Sequence, residues 1–189
     1  MKNSVFIEQI PKLEYLYSRM PSKDIEEVAS LSLKRQSEIL GSKMILNNAL
    51  GQVQLLHDSF GGPILENNSL SVSISHSRTM LAVALSKFPC GIDIEEKDRN
   101  FIRVTPKYLS QSEIELLQSI PDGYAIAWCT KEALYKYQRT EKIDMLKHIR
   151  IIDINLDERS LHCSILDRRP IEVKYNYYSN CIAAVVFER

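Results

Sequence analysis

The chain has 189 residues, 44% of them hydrophobic and 25% charged, which is enough apolar material for a substantial core. Its 24 Lys+Arg balance 24 Asp+Glu, so the basic excess of a general nucleic-acid binder is absent. The longest apolar runs, residues 80–85 and 181–187, are far too short to cross a bilayer, and residues 1–20 hold no apolar core of signal-peptide length. These features lead us to expect a cytoplasmic protein that engages neither nucleic acid nor membrane. Cys90, Cys129, Cys163 and Cys181 are scattered among apolar residues, with no CxxC and no HExxH, so reduced buried thiols are expected rather than disulfides or zinc.

Residues 5–10 alternate as a short strand does. From 34 to 50 the apolar residues Ile39, Leu40, Met44, Ile45 and Leu46 recur at helical spacing, and Gly51 can end that helix. Residues 53–57 read as a strand and 60–63 as a turn. Runs at 70–75, 80–86 and 90–95 give a meander signal. Ser110-x-x-Glu113 is a capping box opening a helix, and Pro121-Asp-Gly123 breaks it before a second helix over 124–137. Residues 149–155, 160–166, 171–178 and 181–187 then read as antiparallel strands. The two halves, 1–95 and 96–189, echo each other: a long helix, several strands and a closing hairpin. The expected fold is therefore α+β, two similar halves with a ligand cleft at their interface.

Three constellations carry chemistry. In Gly91-Ile-Asp-Ile-Glu95 the strand period puts Asp93 and Glu95 on one face, where two carboxylates can coordinate a hard cation such as Mg²⁺. Alone, the segment also reads as an ordinary half-buried strand with a solvated acidic face. In Trp128-Cys-Thr-Lys-Glu-Ala-Leu-Tyr-Lys136, Trp128, Glu132 and Lys136 stack four apart on one helical face. A Glu/Lys pair at this spacing is ordinarily a surface ion pair. Here Ala125, Cys129 and Ala133 lie close by, and a fully solvated face would not be so apolar. Ser75-His76-Ser77 ends a strand, where a histidine is commonly structural but can bind phosphate. The basic run Lys34-Arg35, with Lys43 further along the same helix, is by itself a solvated face.

Taken in order, Ser-His-Ser, Gly-x-Asp-x-Glu and Trp-x-x-Lys-Glu-Ala-x-x-Lys resemble the Sfp-type 4′-phosphopantetheinyl transferases over about residues 34–136. Tyr108-Leu-Ser-Gln-Ser-Glu113 is similar to that family's aromatic-containing segment ending in Glu. The resemblance implies two fused α+β halves related by a pseudo-twofold, with coenzyme A between them and the active site in the cleft. It implies Mg²⁺ held by Asp93, Glu95 and Glu132, and Glu132 accepting, directly or through water, the proton of a carrier-protein serine. Lys136 would stabilise charge on the pyrophosphate. Ser75, His76, Lys34 or Arg35, and Lys43 would anchor the nucleotide phosphates. The partners implied are coenzyme A and an apo acyl- or peptidyl-carrier protein, with a monomer as the simplest assembly. Family members commonly have Gly-Lys-Pro where this chain has Gly61-Gly62-Pro63, so one phosphate-facing cation is missing. Two other readings compete: a coenzyme-A-binding relative that no longer transfers, and a metal-dependent nuclease built on Asp93…Glu95-Glu96-Lys97.

Overall fold

In the computed structural model, which describes residues 2–139 and 143–188, two antiparallel sheets each carry one long helix. The first part of the chain runs β1 (Ser4–Gln9), α1 (Leu13–Arg19), α2 (Ser22–Val28), α3 (Leu33–Leu50), β2 (Leu55–His57), β3 (Pro63–Leu65), β4 (Ser71–His76) and β5 (Met80–Ser86). The second runs β6 (Cys90–Glu96), a 3₁₀ turn over Ile102–Lys107, α4 (Gln111–Leu117), α5 (Gly123–Gln138), α6 (Met145–His148), β7 (Ile149–Asn155), β8 (Ser160–Ile165), β9 (Ile171–Tyr178) and β10 (Cys181–Phe187). The architecture is α+β.

The strand orders are β1-β5-β4 and β6-β10-β9-β8-β7, with β2 and β3 forming a separate ribbon. In each large sheet the first strand in sequence pairs with the second strand of a later hairpin: β1 with β5, and β6 with β10. The same connection is thus drawn twice. Strand β6 is not the third strand of a meander, as its spacing predicted. Both edges of β5 are already taken by β1 and β4, so β6 pairs instead with β10, Asp93 opposite Ala184 and Glu95 opposite Ile182.

Between the sheets, β4 and β6 meet through side chains. Ser71, Ser73 and Ser75 recur at the strand period and so share one face. Ser73 Oγ accepts from the Ile92 amide at 3.1 Å, Cys90 Sγ lies 3.6 Å from Ser71 Oγ, and Ser75 Oγ donates to Asp93 at 2.7 Å. Small hydroxyls here do part of the work of a backbone ladder.

Helix α3 starts at Ser32, whose hydroxyl accepts from the Arg35 amide, and ends at Gly51 with φ +81°. Ile45 and Leu46 pack on Leu81, Val83 and Leu85 of β5, while Leu40 packs with Leu16, Met20 and Val28 of the small N-terminal helices. Helices α1 and α2 were not anticipated from the sequence. Helix α5 buries Ile126, Cys129, Ala133 and Leu134 against the five-stranded sheet. All four cysteines are free and buried. Among the described residues no helix is long and apolar enough to cross a membrane.

Candidate active site

Helix α5 crosses β6 at backbone distance because Gly91 has no side chain: a Cβ there would stand 1.9 Å from the Ala133 carbonyl oxygen. Gly91, Asp93 and Glu95 share the strand face turned to α5, and the stripe of Trp128, Glu132 and Lys136 lies over it. The acidic face is therefore covered rather than solvated, with Asp93 only 5% exposed.

Asp93 Oδ1 accepts from Ser75 Oγ and from Lys136 Nζ, each at 2.7 Å, and Lys136 also donates to the Ile92 carbonyl at 3.1 Å. Asp93 Oδ2 is buried without a hydrogen-bond partner. Glu95 is ion-paired to Arg99. Burial raises its pKa and the Asp93 charge adds to that, against the pull of Arg99. Glu132 makes no hydrogen bond or ion pair among the described residues. Burial, then the Asp93 charge, pushes its carboxyl up to about 7, with Lys136 opposing. Arg99, unmarked by any sequence pattern, also lies 4.6 Å from the centre of the Trp128 ring, and Tyr108 meets the same ring edge-on.

Among the described residues no three His, Cys, Asp or Glu side chains are drawn into a metal-holding set as they stand. Two of the three candidate carboxylates are engaged by the chain's own cations, Asp93 by Lys136 and Glu95 by Arg99. The donor chemistry nonetheless fits a hard divalent cation. All three groups are oxygen donors, Asp93 Oδ2 lacks a partner, and Glu95 and Glu132 are each raised by burial and by their acidic neighbours. A cation would relieve all three conditions.

The phosphate-anchor candidates divide. Ser75 is bound into the Asp93 cluster. His76, at the end of β4, sits with Nε2 3.0 Å from Arg35 and Nδ1 3.3 Å from Glu38. Arg35 and Lys34 also reach Glu38, at 3.1 and 3.6 Å. Glu38 is a buried carboxylate that reading the sequence did not single out, and it organises this cationic corner. Burial lowers the His76 pKa and the cations Arg35, Lys136 and Lys34 add to that, against Glu38. Lys43 does not join the group: its ammonium is 2.5 Å from Asp24 and 3.7 Å from Glu27, tying α2 to α3. Ser77 caps the β4–β5 turn by accepting from the amides of Thr79 and Met80.

On the far side of Lys136, the 60–63 turn, Ser73 and Ile74 of β4, and Tyr135, Lys136 and Arg139 enclose a cavity of about 230 Å³. The left-handed backbone in this turn belongs to Gly61, with φ +78°, and not to Gly62. The acid–lysine pattern behind a nuclease reading is dispersed: Glu96 accepts from the amides of Arg78 and Thr79, and Lys97 lies over the Tyr177 ring.

Comparison with curated proteins gives no match. Residues 89–185, just over half the chain, match the family model of the 4′-phosphopantetheinyl transferase superfamily, and that stretch holds Asp93, Glu95, Glu132 and Lys136. The chain belongs to that superfamily.

Proposed function

We propose that this protein is an Sfp-type enzyme that transfers 4′-phosphopantetheine from coenzyme A to a serine of an apo acyl- or peptidyl-carrier protein, releasing adenosine 3′,5′-bisphosphate. The observation that carries the reading is the buried, unpartnered Oδ2 of Asp93, on a carboxylate whose Oδ1 takes Lys136 and whose charge helps to raise the carboxyl of Glu132. The ion pair with Lys136 leaves this oxygen unused, and a hard cation would satisfy it. The strand connection drawn twice, β1 to β5 and β6 to β10, supports the two-half Sfp-type arrangement.

In this reading the serine oxygen forms a new bond to the pantetheine-side phosphorus of the pyrophosphate. The phosphoanhydride bond to the nucleotide breaks, and its electron pair leaves on the departing phosphate. Asp93, Glu95 and Glu132 would hold Mg²⁺, which when bound supplies neutralisation of the pyrophosphate charge. Glu132 takes the serine proton, directly or through water. Lys136 faces the pyrophosphate and balances charge as the bond breaks. Arg35 and His76 receive the nucleotide phosphates, with Glu38 holding both in place.

The test is direct. Purified protein, coenzyme A and Mg²⁺ are incubated with a panel of apo-carrier proteins, and intact mass reports the gain of one phosphopantetheine. Loss of the gain in excess chelator is expected. Absence of any gain across acyl, polyketide and peptidyl carriers, with coenzyme A still bound, would leave a coenzyme-A-binding relative in place of a transferase.

A further inference from the structure

Where helix α5 ends, the backbone adopts a conformation that glycine fills most readily, and an arginine stands there. Arg139 has φ 44° and ψ 46°, and its amide closes the helix on the Tyr135 carbonyl. Its side chain crosses to β4, where one Nη donates to the Val72 carbonyl. The other Nη is 3.9 Å from Asp58 Oδ2, beyond hydrogen-bond reach. Asp58 is itself committed, its Oδ1 accepting from the amides of Phe60 and Gly62 at 2.9 and 2.8 Å. A guanidinium has five N–H donors, so most of this one is unspent. The side chain is 24% exposed and lines the cavity closed by the 60–63 turn. Lys136, one turn earlier on α5, lines the same cavity, and no carboxylate does among the described residues. Two cations, whose carboxylate partners Asp93 and Asp58 lie outside the lining, and a planar donor fork make a site for a phosphate oxyanion.

We infer that Arg139 binds a phosphate group of coenzyme A in this cavity, beside Lys136. The inference rests on the proposed function for the identity of the ligand, but not for its charge. It assigns the cavity a second cation that no motif marks.

The experiment measures binding of coenzyme A, 3′-dephospho-coenzyme A and inorganic pyrophosphate to the full chain by titration calorimetry. Arg139→Gly removes the guanidinium while suiting the backbone. It is expected to weaken coenzyme A binding about tenfold or more, the loss of one charge-assisted contact, without lowering the melting temperature. Arg139→Lys should recover only part of the loss, because an ammonium cannot make the fork contact. In the transfer assay the KM for coenzyme A should rise while kcat holds, a split that a merely structural role would not produce. If the effect vanishes with 3′-dephospho-coenzyme A, the phosphate bound is the 3′ group. If it persists there and appears with pyrophosphate, it is the pyrophosphate. Coenzyme A binding by Arg139→Gly within twofold of wild type overturns the inference. Should wild type bind coenzyme A through Arg139 yet transfer nothing, the inference stands and the transferase reading falls. Should wild type bind neither coenzyme A nor pyrophosphate, both fall.

Discussion

Helix α5 presents two lysines, five residues and roughly 140° apart around its axis, to two buried acidic clusters, and the clusters are built to opposite ends. Lys131 is fully buried. Its ammonium donates to the carbonyls of Tyr108 and Ile149 at 2.7 Å and of Met145 at 3.2 Å, and it touches both oxygens of Glu113. Glu113 in turn accepts from the amides of Ser110 and Ile151, so its carboxylate is saturated. Burial lowers the Lys131 pKa and the Glu113 partner opposes that. The pair sews α4, α5 and β7 together. At the other cluster Lys136 is part-exposed, Asp93 keeps an unpartnered oxygen, and Glu132 is lifted towards neutrality. A buried ionic cluster in which every polar atom is used is structural. One left short of positive charge, beside a cavity, is poised for a ligand.

The largest effect should come from breaking the saturated cluster. Lys131→Met strands a buried carboxylate and at least two buried carbonyls, and a loss of about 3–5 kcal/mol in unfolding free energy is expected. Urea unfolding followed by circular dichroism measures it. A loss below about 1 kcal/mol would erase the contrast between the clusters.

Asp93→Asn should do the reverse. Asn can still accept from Ser75, so stability should stay within about 1 kcal/mol of wild type, while transfer falls roughly 100- to 1000-fold, equivalent to about 3–4 kcal/mol. Destabilisation matching that of Lys131→Met, or full activity, would place Asp93 among the structural residues.

The third effect is one of pH. The Glu132 carboxyl is raised in the folded protein from an ordinary 4.5 to about 7. Between those values the folded state keeps a proton that the unfolded chain has lost. Stability therefore falls as pH rises through this window, and above about 7 the full cost of the charged carboxylate is present. Glu132→Gln removes that cost. In chelator at pH 8 the variant should be more stable by on the order of 1–2 kcal/mol, several degrees in Tm, and the difference should close near pH 4.5. Mg²⁺ at pH 8 should raise the wild-type Tm more than the variant's, although the variant's kcat falls. Equal Tm values at pH 8 would remove the repulsion from the argument.

Much of this is legible in the sequence, and the limits have physical causes. The stripe of Trp128, Glu132 and Lys136 follows from helical spacing alone, and the shared face of Asp93 and Glu95 from strand alternation. Spacing cannot distinguish Lys131 from Lys136, because what separates them is the set of carbonyls that β7 and the 108 turn bring from elsewhere in the chain. Glu38 was hidden for the same reason: a charged residue inside a helix reads as solvated until the elements around it are placed. Two signals were present and unread. Ser71, Ser73 and Ser75 at the strand period foretell a polar seam with β6, and Gly91 two residues before Asp93 foretells the close crossing of α5. The pairing of β6 with β10 was beyond local reading, since nearest neighbours in sequence default to hairpins.

The smallest effect separates a missing cation from a replaced one, at Gly62. Its backbone is not left-handed, so a side chain meets no strain of that kind. A Cβ there would instead stand 2.9 Å from Asp58 Oδ2, while the same carboxylate holds the turn through Oδ1. The carboxylate must shift, and a lysine at 62 would find Asp58 as its nearest partner. Its ammonium would also share the cavity with Arg139 and Lys136, whose repulsion offsets much of any new attraction for phosphate. Gly62→Lys alone should therefore lower the KM for coenzyme A by no more than about threefold, some 0.6 kcal/mol. In an Arg139→Gly background the repulsion is relieved and the vacated donor position is within reach, so the same substitution should lower KM by close to tenfold. The two changes are coupled through one cavity, and their non-additivity is the measurement. Melting curves on all four proteins separate turn strain from binding. A tenfold gain from Gly62→Lys in the wild-type background, undiminished by Arg139, would mean that the cavity truly lacks a cation and that the arginine at the end of α5 serves the fold alone.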